Sequence, residues 1–185
     1  VGELGWELYI KMHDAKEIYN LIINAGKEFD LSNCGMLAMD TMRMETGYLH
    51  WGHDMSPEEN QYQAGLQFAI SYKKNIDFIG KESLLKIKDK KDNKKLIMLT
   101  LNDSKPGEPL LLYDEPIYSG KNIIGRTTSG NFSFNFNKNL AFGYINSEYS
   151  KEDIVKENLF IEVEKKKYPA SIILKPLNNK NIRST

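Results

Sequence analysis

The sequence predicts an α+β fold whose second part is all-β. Helix-spaced apolar residues dominate as far as about residue 88. A lysine-rich run follows at 86–95, and beyond it short β-branched and aromatic runs alternate with turn signals. The length, 185 residues, allows one domain or one and a half small ones.

The elements follow in order. Trp6, Leu8 and Ile10 alternate with Glu7, Tyr9 and Lys11, the period of a half-buried strand. Asp14 is placed to cap a helix running to about Lys27, with Ala15, Ile18, Ile22 and Ala25 at helical spacing and Gly26 near its end. A second helix is expected from Gly35 to Thr46, closed by Gly47. Its Met36, Met39 and Met42 stripe reads as core packing, since methionine fills irregular gaps. The loop from Tyr48 to Asp54 is rich in aromatic residues, and Ser56-Pro57-Glu58-Glu59 reads as a helix start. Gln67 to Tyr72 suggests a short strand, and Gly80 to Lys88 a third helix.

The run at 86–95 is broken by two aspartates and carries no interleaved aromatics, so it reads as a solvated boundary rather than a nucleic-acid patch. Strands are expected at 96–101, 110–113, 116–118, 122–127, 140–145, 159–164 and 168–174. Such a series suggests a small sandwich or barrel. The expected organisation is an α+β part over 1–88, a linker at 89–94, an all-β part over 95–175 and a polar tail at 176–185.

Twenty-five basic residues balance twenty-five acidic ones, which removes the electrostatic footprint of a nucleic-acid binder. No stretch approaches 18 consecutive apolar residues, so no membrane span is expected. The single cysteine, Cys34, excludes an internal disulfide framework and a cysteine zinc cluster, and reads as a small core residue. The chain starts at Val1 within strand-like sequence, which suggests a piece of a longer protein. A cytoplasmic location is the expectation.

Only three of the basic residues are arginines, Arg43, Arg126 and Arg183. Where lysine is the default cation, an arginine marks a place that needs a planar fork. Arg43 could instead pair at the surface with Asp40 three residues back, and Arg126 could fix two strands. His50, His53 and Asp54 offer three potential metal ligands, but the intervening residues form a turn and no further ligands are evident, so no metal is expected. Gly2-Glu3-Leu4-Gly5 sets a carboxylate between glycines. Glu3 could accept two parallel hydrogen bonds from an amidine-like edge such as that of a pterin, or be an exposed turn glutamate.

In combination these segments resemble a known family. Gly2 to Tyr9, Ala38 to Tyr48, Trp51 to Met55, Ala64 to Phe68 and Phe78 to Leu84 are similar to the folate-binding region of the glycine-cleavage T-protein (aminomethyltransferase) family. Glu115 to Tyr118, Ile124 to Gly130 and Ala141 to Tyr144 resemble its C-terminal β-barrel. Trp6, Tyr9, Trp51 and the ending Pro169-Ala170, Pro176-Leu177, Asn181-Ile182-Arg183 favour the C-terminal part of dimethylglycine and sarcosine dehydrogenases.

The resemblance implies a tetrahydrofolate-binding portion of a one-carbon transfer enzyme. It implies an N-methyl amine donor, capture of the one-carbon unit as 5,10-methylenetetrahydrofolate, and FAD only in an upstream domain. A stand-alone aminomethyltransferase, or a module without transfer chemistry that binds folate or protein, are the alternatives. The resemblance places Glu3 at the pterin, Arg43 at the folate site, Phe68 near the folate and Trp51 in the matching loop. The family's catalytic aspartate would precede Val1, and Asp40 and Asp54 do not match it, so no catalytic residue is expected here. Half of a folate domain should leave apolar surface bare near Trp6, Met36 and Met39, and a homodimer is one way to cover it.

Overall fold

The computed structural model describes residues 1–90, 94–146, 148, 154–155 and 158–178. Six antiparallel strands close into a barrel in the order β1-β4-β3-β2-β5-β6. They are β1 (Lys94–Leu101), β2 (Pro116–Ser119), β3 (Asn122–Ser133), β4 (Lys138–Asn146), β5 (Leu159–Val163) and β6 (Lys166–Ile173). Registers such as Leu99 opposite both Ala141 and Ile172, and Ile117 opposite both Gly125 and Ile161, bring alternate side chains inward. The interior is filled by Leu99, Leu101, Leu111, Ile117, Ile145, Ile154 and Ile161, all essentially buried.

β4 is buried from Asn139 to Ile145, because both of its faces are covered. Ala141 and Ile145 point into the barrel, while Leu140 and Phe142 point outward with Met98 of β1. Helix α2 (Met36–Thr46) covers that outer patch with Met44, which is wholly buried there. Gly47 ends the helix at φ 80°, a left-handed position suited to glycine, and its N–H reaches back to Arg43 and Met44. Two further α-helices are α1 (Ala15–Gly26) and α3 (Lys81–Ile87). Among the described residues no helix is long and apolar enough to cross a membrane.

Several expectations are corrected. Residues 6–10 form no strand: Trp6, Leu8, Tyr9 and Ile10 are all exposed, and among the described residues no strand pairs with them. Asp14 stands at the start of α1, but its side chain makes no capping bond. The Met36, Met39 and Met42 stripe is not core. α2 meets the barrel through Thr41, Met44 and Glu45, which leaves Met36 72% and Met39 45% exposed. Residues 56–59 make a turn in place of a helix, and Gln67–Ala69 is a 3-10 turn in place of a strand.

Residues 110–113 lie across the barrel without joining it. Leu111 is buried there, and a Cβ at Gly130 would collide with it. β3 runs on to Ser133, well past the expected end at Thr127. Cys34 is exposed. Residues 91–93 of the linker and 179–185 of the tail lie outside the described residues.

Candidate functional site

α2 carries Arg43 to the join between the helical part and the barrel. Its Nε–H donates to Asp40 Oδ1 at 2.6 Å, and Nη1 donates to the Tyr48 carbonyl at 2.9 Å and to Asp54 Oδ2 at 2.6 Å. Nη2 donates to Ser129 Oγ of β3 at 2.9 Å. Four of the five guanidinium N–H donors are thereby engaged in fixed directions, which a lysine ammonium could not reproduce. The side chain is only 10% exposed, and the guanidinium carbon lies 5.7 Å from the centre of the Phe142 ring. The expected surface pair with Asp40 is therefore one edge of a buried network.

Asp54 is the centre of that network and is wholly buried. Besides Arg43, its Oδ2 accepts the His50 N–H at 2.9 Å, and its Oδ1 accepts Thr128 Oγ1 at 2.7 Å. Its backbone carbonyl accepts the Tyr144 hydroxyl at 2.9 Å. Burial, and then the carboxylates of Glu59 and Asp54, push the Tyr144 phenol far above its usual range, so it stays a neutral donor. Asp40 and Asp54 together outnumber Arg43 two to one, so the triad carries a formal charge of −1 rather than presenting a bare cation.

Three cavities border α2. One of about 350 Å³ is lined by Asp40, Arg43, His50, His53, Tyr113 and Ser129 among others. Its two imidazoles stack with centroids 4.7 Å apart and planes at 16°, and Tyr113 meets His53 edge-on at 6.5 Å. A second, of about 430 Å³, adjoins it across Leu37, Leu111 and Asn131. Glu45 in its wall is capped by Ser133 Oγ at 2.5 Å and Asn135 Nδ2 at 2.8 Å. A third, of about 370 Å³, lies at the C-terminal end of the helix and is lined by Thr46, Gly47, Phe68, Phe142 and Pro176 among others.

The residues singled out in the sequence divide between these places. Thr46 Oγ1 donates to the Val1 carbonyl at 3.0 Å. A Cβ at Gly2 would sit 2.5 Å from Thr46 Cγ2, so the chain runs into Glu3 directly beside the helix end. Among the described residues the Glu3 carboxylate has no hydrogen-bond partner. Phe68, 82% exposed, shares the third cavity with Thr46. Glu3 and Phe68 are thus brought to one end of α2, whereas Arg43 lines the cavity with the histidines. Trp51, 62% exposed, sits in a tight turn that bridges to Met55. Arg126 makes an exposed pair with Asp114 at 3.1 Å. Among the described residues no cluster of three His, Cys, Asp or Glu could hold a metal.

Comparison with known proteins decides the family. Residues 1–74 match the model of the GCVT N-terminal domain, and residues 94–178 match that of the glycine cleavage T-protein C-terminal barrel domain. The chain belongs to the glycine-cleavage T-protein superfamily. Within this superfamily it is 38% identical to human mitochondrial dimethylglycine dehydrogenase over 178 residues, which is 95% of this chain and 20% of that protein. It is 36% identical to the aminomethyltransferase of Clostridium botulinum over 183 residues, 99% of this chain and 48% of that protein.

A solved glycine-cleavage-system aminomethyltransferase T from Bartonella henselae shares the fold. Its TM-score is 0.74 at 22% identity, covering 88% of this chain and 44% of that one. The chain therefore spans between a fifth and a half of the length of these relatives. Sequence reading missed the roles of Asp54, Thr128, Ser129 and Tyr144. The Thr-Thr-Ser run in β3 is where the signal lay, since three successive hydroxyl residues in a strand imply polar partners on its faces.

Proposed function

We propose that this chain is the tetrahydrofolate-binding, C-terminal portion of a one-carbon transfer enzyme of the dimethylglycine and sarcosine dehydrogenase type. The carrying observation is the match along both parts of the chain, with 95% of it aligned to dimethylglycine dehydrogenase. On this reading residues 1–88 complete a folate domain, 89–94 link it to a barrel domain at 95–175, and 176–185 form a tail.

The residues suit a pterin. Among the described residues Glu3 is an unpaired carboxylate next to a helix end, able to accept two donors from one ring edge. Phe68 offers an exposed ring in the adjoining cavity for the aromatic part of the ligand. Arg43 and Trp51 would bound the site farther along α2 and its following loop. Tetrahydrofolate, when bound, would supply the nitrogens that accept the one-carbon unit. An N-methyl amine is the donor, and FAD belongs to a part of the parent protein outside this sequence. The acid–base group for transfer also lies outside it, so residues 1–185 alone are inactive.

The test is Glu3→Gln in the protein at the full length its gene encodes. A lost charge-assisted contact of about 1.5–3 kcal/mol weakens tetrahydrofolate binding roughly tenfold to a hundredfold while circular dichroism stays native. An unchanged dissociation constant removes Glu3 from the site. A second reading, part of a stand-alone aminomethyltransferase, is favoured by the 99% coverage of this chain in the Clostridium botulinum comparison. The gene itself separates the two, because only the dehydrogenase reading requires an upstream dinucleotide-binding βαβ unit.

A further inference from the structure

We propose that Asp54 is a positioning residue for the folate site: it fixes the direction of the Arg43 guanidinium and ties it to the barrel. This rests on the reading of Arg43 as part of that site. α2 alone would let a long arginine side chain sample many rotamers. Here Asp54 Oδ2 holds Nη1 at 2.6 Å, and Ser129 Oγ holds Nη2 at 2.9 Å. Asp54 is itself held by the Thr128 hydroxyl at 2.7 Å, the His50 N–H at 2.9 Å and the Tyr144 hydroxyl at 2.9 Å. Ser129 and Thr128 lie on β3 and Tyr144 on β4, so three barrel residues set where the arginine of a helix stands. The same network determines how Arg43 borders the cavity that it shares with His50, His53 and Tyr113. The barrel is then part of the binding site by geometry, even if it never touches the ligand.

The experiment measures tetrahydrofolate affinity for Arg43→Lys, Asp54→Asn, Thr128→Val, Thr128→Ser and the double variant Arg43→Lys with Asp54→Asn, all at full gene length and with folding checked by circular dichroism. Arg43→Lys and Asp54→Asn should each weaken binding by about tenfold or more, and the double variant should bind no worse than the weaker single one. Thr128→Ser, which keeps the hydroxyl, should bind better than Thr128→Val, which keeps the shape. A role in packing alone would reverse that order, so this pair decides the matter even if Asp54→Asn does not fold. Loss of affinity in Arg43→Lys with native affinity in Asp54→Asn overturns the positioning role and leaves the folate reading standing. Native affinity in Arg43→Lys overturns the positioning role and removes Arg43 from the site, while Glu3→Gln separately tests the folate reading.

Discussion

At the scale of single residues, Glu59 ties the loop after the histidines to the barrel. Its Oε1 accepts Lys94 Nζ at 2.5 Å, and its Oε2 accepts the Ser56 hydroxyl at 2.7 Å and the Ser56 N–H at 2.8 Å. Burial pushes the carboxyl upward, but the hydrogen bond and charge of Lys94, with the bonds from Ser56, prevail and hold it below its ordinary 4.5. The unfolded chain therefore takes up this proton at a higher pH than the folded one. The stabilisation is fully present above about pH 4.5 and is lost as the pH falls through the lower folded value. Glu59→Gln should lose on the order of 1 kcal/mol at pH 7, modest because Lys94 is 31% exposed. Its urea midpoint should also fall less steeply than that of the parent protein between pH 5 and 3. Parallel profiles would refute the assignment. The same residues show how far a local motif can be read. Glu59 Oε2 does accept the Ser56 N–H at 2.8 Å and Ser56 Oγ accepts the Glu58 N–H at 3.1 Å, side-chain bonds that a helix start can use. The Asn60 side chain then accepts the Tyr62 and Gln63 N–H groups, and this competing turn ends the helix before it begins.

At the scale of elements, period is legible and partner is not. α2 begins and ends within one residue of expectation, because Gly35 and Gly47 mark it and the methionines keep helical spacing. Which of its faces is buried depends on where the barrel lies, and a helical wheel does not contain that information. Met44 packs against Met98, Leu140 and Phe142, while Met36 faces away. Met44→Ala should therefore cost about 2–5 kcal/mol in urea denaturation, through lost burial and the cavity left behind. Met36→Ala, at 72% exposure, should stay within about 0.5 kcal/mol. Equal costs would mean that the helix face is wrongly assigned. β3 teaches the reverse lesson. It is expected to end at Thr127, yet the strand continues to Ser133, because the hydroxyls have polar partners. Thr127 bonds Glu115, Ser129 bonds Arg43 and Ser133 bonds Glu45. The candidate site was legible to the same extent: the scarce arginine and its pair with Asp40 could be singled out, but the buried carboxylate that ties it to the barrel belongs to a loop eleven residues on.

At the scale of the molecule, the barrel has a buried core, whereas the N-terminal stretch is largely exposed. An accessible surface of 13581 Å² far exceeds the roughly 9,100 Å² that a compact monomer of 21.3 kDa would expose. Much of the N-terminal stretch is exposed. No residue from 3 to 39 is fully buried, and Leu4, Trp6, Met12, Met36 and Leu37 are each between 72% and 92% exposed. The alternation at 6–10 is that of a strand with one covered face, yet among the described residues nothing pairs with it or covers it. Apolar surface on this scale associates in water. Residues 1–185 purified alone should bind a hydrophobic fluorophore such as anilinonaphthalene sulfonate. Their weight-average sedimentation coefficient should also climb as concentration rises through the micromolar range. The combined Trp6→Glu and Met12→Glu changes remove two of the most exposed apolar side chains without touching the barrel. They should lower both signals while leaving the unfolding transition of the barrel in place. A concentration-independent monomer with no dye binding would show that these residues cover one another in solution, and that the open N-terminal face is not how the chain exists.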